Sequence, residues 1–119
     1  MLTIEEKIQA IVAALEDIKA ANIAVIDTSK KSPLFERMVI ASANSPRQTR
    51  ALADHVAKQL KLRGEPVLGT EGEDSGEWVL VDLGEVVVHI MQPAVRSYYQ
   101  LEELWDMQHL PRNAAHGIK

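Results

Sequence analysis

The chain has 119 residues, 46% of them hydrophobic and 25% charged, a balance that fits one globular domain and excludes a wholly disordered chain. It contains no cysteine, which excludes disulfides, thiolate zinc sites and cysteine nucleophiles. Its net charge of −4 disfavours direct nucleic-acid binding and suits either a basic protein partner or plain solubility.

The N-terminal stretch has neither a basic region before an apolar run nor the Arg-rich, acid-poor character of a transit peptide. No apolar run approaches the ~20 residues that a membrane span needs, so a soluble, cytoplasmic protein is expected. Thr3 and Glu6 have capping-box spacing, which predicts a helix starting near Ile4. Ile4, Ile8, Ile11, Val12, Leu15 and Ile18 fall on one helical face, and Glu5, Lys7, Gln9 and Glu16 lie off it. Asn22 is a tolerable C-terminal cap for this helix. Residues 23–27 read as a short buried strand, 28–33 as a polar loop and 37–43 as a second strand. Ser45, Pro46 and Gln48 announce a second helix, with Leu52, Ala53, Val56, Ala57 and Leu60 as its apolar stripe and Gly64 as its stop. Residues 66–70 read as a short strand with Pro66 at its start, and 71–76 as a loop. Residues 77–83 and 85–91 are dense in valine and leucine and form a hairpin about Gly84. Pro93 introduces a last helix over 94–106, and 107–119 reads as a loose tail beyond a single domain of 1–106. The order α, β, β, α, β, β, β, α with an antiparallel hairpin predicts an α/β fold with a mixed sheet flanked by helices.

Few catalytic constellations survive inspection. The loop from Gly69 to Gly76 is glycine-rich, but it carries three carboxylates and leads into a strand, which opposes phosphate binding. It reads as a conformationally demanding connection or a binding loop. Ser75 lacks the G-x-S-x-G elbow of a hydrolase nucleophile, so a triad with His89 and Asp82 is not supported. None of His55, His89, His109 and His116 are at i, i+4 spacing. A nucleotidyltransferase needs paired carboxylates on one strand to hold magnesium, and Asp82 has Leu80 two residues before it. Aromatic residues are few, and Trp78, Tyr98, Tyr99 and Trp105 fall in the hairpin and the last helix. They suit either interface anchors or core under the helix. Tyr98 and Tyr99 are adjacent and cannot share a face, whereas Leu101 and Trp105 are four apart and can pack together. The hairpin register stays open. A two-residue turn at Leu83–Gly84 pairs Trp78 with His89, and a three-residue turn pairs Glu77 with His89. A type I′ turn there would force Leu83 to positive φ.

The run Ala51-Leu52-Ala53-Asp54, then Gly69 with Glu71-Gly72, then Ser75 through Gly84 (SGEWVLVDLG), Val87-Val88-His89-Ile90-Met91, Arg96, Tyr99, Leu101-Glu102 and Leu104-Trp105 resembles the ribosomal silencing factors, also called the Iojap-related family. The likeness covers roughly residues 15–105. It implies a mixed α/β fold related in shape to nucleotidyltransferases but without their catalytic motif, and a protein that is not an enzyme and needs no cofactor or metal. It implies binding to the large ribosomal subunit through a ribosomal protein, the one numbered fourteen, at the face where the subunits meet. The bound factor then blocks joining of the small subunit and represses translation when nutrients are scarce. Carried over by position, the protein-binding residues are Trp78, Leu80, His89 and Met91 on the hairpin and Tyr99 on the last helix, with Glu71, Asp74 and Ser75 from the loop. A homodimer of the free protein is compatible with this reading, and a metal-dependent nucleotidyltransferase-like enzyme is the alternative. Two departures stand out. Glu36-Arg37 replaces an Asp-Tyr common in relatives, and Ala43-Asn44-Ser45 replaces Gly-Thr-Ser while keeping the capping serine.

Overall fold

The two expected helix starts are built as the spacing dictates. In this computed structural model, which describes residues 2–30 and 33–99 (Tyr98 and Tyr99 for their backbone only), helix α1 spans Ile4–Asp17. Thr3 Oγ1 accepts the Glu6 N–H at 3.1 Å, and Glu6 Oε1 accepts the Thr3 N–H at 2.9 Å, a complete capping box. Helix α2 spans Pro46–Leu62, with Ser45 Oγ accepting the Gln48 N–H at 3.1 Å. The Gln48 carboxamide reaches one residue further back and accepts the Asn44 N–H at 2.8 Å.

Helix α1 ends at Asp17, ahead of the expected Asn22. Lys19 adopts φ +63, its N–H donates to Glu16 O, and the Ala20 N–H donates to Leu15 O, both at 3.0 Å. These bonds are a Schellman motif with lysine in the place glycine usually takes. The left-handed Asn22, at φ +50, sits instead in the irregular part of strand β1, Ala21–Asp27, where the register slips between Ala21 and Ala24. Helix α2 closes with the same motif at Gly64, φ +82, as the sequence predicts.

The remaining elements are β2 (Arg37–Ser42), β3 (Gly69–Glu71), β4 (Trp78–Asp82), β5 (Val86–Met91) and α3 (Pro93–Tyr99). The expected last helix thus holds to Tyr99; its extension to 106 and the tail lie outside the described residues. The strands form one sheet ordered β1-β2-β5-β4-β3. The β2–β5 pair is parallel and the other three are antiparallel, so the sheet is mixed.

Helices α1 and α2 cover one face. Ile11 and Leu15 of α1 and Leu52, Val56 and Leu60 of α2 close over Val39, Val79, Val81, Val88 and Ile90, all fully buried. Burying each such side chain contributes about 1.5–3 kcal/mol, which makes this layer the main source of stability. Lys7, off the apolar stripe, is nevertheless buried, and its ammonium lies 3.2 Å from the buried Glu65 carboxylate. On the opposite face a smaller cluster joins Ile26, Met38, Ile40 and Met91, with Phe35, Trp78 and Val95 of α3 packed against it. Arg96 fastens α3 to this side by donating to Asn22 O at 2.6 Å and Ser42 Oγ at 2.8 Å.

Neither expected hairpin register is the one formed. Leu80 lies opposite His89, and Trp78 opposite Met91. The turn residues are Gly84 and Glu85: Gly84 takes φ +87, its N–H donates to Asp82 Oδ1 at 2.9 Å, and the Leu83 N–H donates to Val86 O at 3.0 Å. This register leaves Leu83 at negative φ and 3% exposed, so the residue least suited to a turn stays in the core.

Candidate functional site

Alternation along the hairpin decides which side chains meet. Val79, Val81, Val86, Val88 and Ile90 point to the helices, which leaves Trp78, Leu80, Asp82, Val87, His89 and Met91 on the open face. There Trp78, Leu80, Asp82, Val87 and His89 floor a groove of about 1030 Å³ together with Met38 of β2. One wall is Leu34 and Phe35, from the loop after β1, and another is Leu68, just before β3. Leu34 is 80% exposed and Leu68 65% exposed, which is unusual for leucines beside an apolar floor. Among the described residues the lining carries three carboxylates, Glu36, Asp82 and Glu85, and no lysine or arginine. The groove therefore offers apolar surface inside an acidic rim.

Trp78 and His89 are diagonal neighbours across β4 and β5, within the reach of long side chains. The indole Nε1–H donates to His89 Nδ1 at 2.9 Å, and the ring centroids are 5.8 Å apart at 47°. An indole N–H can only donate, so Nδ1 must be bare and the imidazole neutral with its proton on Nε2. Burial reinforces this by pushing the His89 pKa down from 6.5 to about 4. Because the folded value lies below the unfolded one, stability is full above pH 6.5 and falls as pH drops toward 4. Thermal melts should record a loss of at most about 3 kcal/mol across that window. His89→Asn, which does not titrate, should flatten it. An unchanged pH profile in that variant would mean that His89 is not the group responsible.

Trp78, Leu80 and His89 thus line the groove together. Met91 points to the same side but is fully buried under the small cluster. Glu71 faces Leu80 across the β3–β4 pair and adds a carboxylate on the same face of the sheet. Asp74 and Ser75 do not line the groove. Their loop is tied to α2, where Arg50 donates to Glu73 O at 3.0 Å and Thr49 Oγ1 donates to Gly76 O at 2.6 Å. Within that loop Ser75 Oγ accepts the Glu77 N–H at 3.3 Å. Tyr99 ends α3, and its side chain lies outside the described residues. The sequence reading missed Leu34, Phe35, Met38, Leu68 and Val87. A signal existed for two of them: Leu34-Phe35 is an apolar pair in an otherwise polar loop.

Comparison with known proteins gives a consistent picture. The family described as "Ribosomal silencing factor during starvation" (RsfS) matches residues 2–118. The ribosomal silencing factor RsfS of Chromobacterium violaceum is 51% identical over 107 residues, covering 90% of this chain and 88% of that protein. A crystal structure of a Chromobacterium violaceum protein superposes with a TM-score of 0.87 at 51% identity, over 88% of each chain. A mouse protein named "Mitochondrial assembly of ribosomal large subunit protein 1" is 34% identical over 104 residues, covering 85% of this chain and 46% of that one. With a family match running almost end to end and a relative identical at half its positions, this chain belongs to the ribosomal silencing factor family.

Proposed function

We propose that this protein is a cytoplasmic translational silencer, which binds the large ribosomal subunit through a ribosomal protein at the intersubunit face and blocks the small subunit from joining. The observation that supports it most is the groove on the open sheet face: apolar within, acidic at the rim, and walled by exposed leucines. Ribosomal proteins are basic, and an acidic rim steers a basic partner toward an apolar floor. Trp78, Leu80 and His89 make the contact, with Met91 as buried support beneath them and Glu71 adding charge at the edge. The protein acts by binding and not by catalysis. Asp82, its one strand carboxylate in the groove, is engaged in capping its own turn through the Gly84 N–H. No helix among the described residues is long and apolar enough to cross a membrane, which accords with a ribosomal site of action.

Purified protein should co-sediment with free large subunits and reduce their association with small subunits. Unchanged joining at saturating protein would end this reading. Trp78→Ala should weaken large-subunit binding by about 2 kcal/mol, or about thirtyfold, as expected for a central aromatic anchor. Because Trp78 also packs on the small cluster, Leu68→Ala is the cleaner companion. Leu68 is 65% exposed, so the change should leave the melting temperature alone while weakening binding several-fold. The association rate should fall as salt rises.

A further inference from the structure

We propose that His89 is a positioning residue for Trp78: its Nδ1 holds the indole N–H and so fixes the aromatic ring in the orientation that the groove presents to a partner. The inference rests on the groove's being the binding surface proposed above. It assigns His89 a role exercised through its neighbour, in addition to its place in the groove lining.

Three observations carry it. The indole N–H donates to His89 Nδ1 at 2.9 Å, beside a small cluster whose described members Met38, Ile40 and Met91 are apolar. Removing the His89 acceptor costs the half-buried indole this hydrogen bond, and rotation toward water is one way to replace it. Rotation would move the ring off the small cluster and reshape the groove floor. The strand register adds the third point. Leu80, not Trp78, is the direct partner of His89, so the hydrogen bond runs diagonally and joins two rungs of the hairpin. A diagonal bond fixes the indole along the strand as well as across it. The bond needs a neutral imidazole, and burial keeps His89 neutral at neutral pH. Among the described residues the other charged groups on this side of the sheet are the carboxylates of Glu71, Asp82, Glu36 and Glu85 and the Arg96 guanidinium of α3, which is bonded to Ser42 Oγ and Asn22 O.

The test compares His89→Asn, whose Oδ1 takes the place of Nδ1 as acceptor, with His89→Leu, which is apolar and has none. Both are made in a Trp105→Phe background, so that Trp78 is the only indole. The first readout needs no partner: hydrogen exchange and chemical shift of the Trp78 indole N–H by NMR. The wild-type side chain and Asn should keep the signal protected, and Leu should lose protection by about tenfold or more. The second readout is co-sedimentation with purified large subunits. Leu should weaken binding by about tenfold and Asn by less than about threefold. Equal protection and equal affinity in the two variants would overturn the positioning role. If the background protein itself fails to bind large subunits, the ribosomal reading fails, and the NMR comparison still decides whether His89 holds the indole. If Leu fails to fold where Asn folds, His89→Gln, which moves the acceptor away from the Nδ1 position, replaces it with the same expected losses.

Discussion

Replacing Lys7 by methionine should cost about 3–4 kcal/mol of folding stability at pH 7, among the largest effects expected of the described polar residues. Lys7 is 5% exposed and Glu65 3% exposed. Their charges meet at 3.2 Å, and Lys7 reaches Glu85 Oε1 at 3.3 Å as well. Methionine keeps the aliphatic stem, so the loss reads the missing charge and not a cavity. Among the described residues Glu65 would keep the Leu2 N–H, at 2.8 Å, as its donor, and a buried carboxylate with one donor is poorly compensated.

The pH dependence separates this account from a simple loss of contact. In the native protein the Leu2 N–H, and then Lys7, hold the Glu65 carboxyl below its ordinary 4.5 against the opposing effect of burial. Its contribution is therefore complete above pH 4.5 and is lost as pH falls below it. In Lys7→Met the carboxyl loses its ion pair and protonates more readily, so the penalty should shrink as pH is lowered toward 5. Urea titrations at pH 7 and pH 5 would show it, and the double variant Lys7→Met, Glu65→Gln should recover most of the stability. A penalty under about 1 kcal/mol at pH 7 would mean that the pair behaves like a solvated surface bridge.

What the sequence reveals of this fold divides along a physical line. Signals carried within a few residues were legible: the Thr3–Glu6 box, the Ser45 cap, the Gly64 stop and the valine alternation of the hairpin. Features set by distant partners were not. Lys7 reads as an exposed helix residue because its carboxylates lie 58 and 78 positions away in the chain. The hairpin register is pinned by β2, since the Glu36 and Arg37 N–H groups both donate to Glu85 O, at 2.7 and 3.2 Å. That parallel neighbour cannot be seen from the turn alone. Asn22 looks like a helix cap by propensity, yet the sheet uses it in a bulge and leaves the left-handed cap to Lys19. The groove follows the same division. Trp78, Leu80 and His89 could be picked from one hairpin and its family likeness. The walls at Leu34 and Leu68 come from separate loops, and only the folded sheet brings them to the same rim.

Gly72→Ala should be the most damaging small substitution near the groove, costing about 3 kcal/mol and lowering the melting temperature by roughly 10 °C. Gly72 has φ +89, where an alanine is strained by about 1–2 kcal/mol. Its Cβ would also run into the backbone carbonyl of Trp78, a neighbour that cannot swing aside as a side chain could. Relief requires either the loop to open, breaking the Gly76 N–H bond to Gly72 O at 3.1 Å, or the start of β4 to shift. Both routes disturb the residue that anchors the groove, so large-subunit binding should weaken even below the melting temperature. Gly69→Ala is the internal control. It lies three residues earlier, its φ is not positive, and nothing stands within 4 Å of an added Cβ. That change should alter stability by less than about 1 kcal/mol. Similar losses in the two variants would show that the edge strand as a whole is intolerant, and that the Gly72 contact with Trp78 has no special weight.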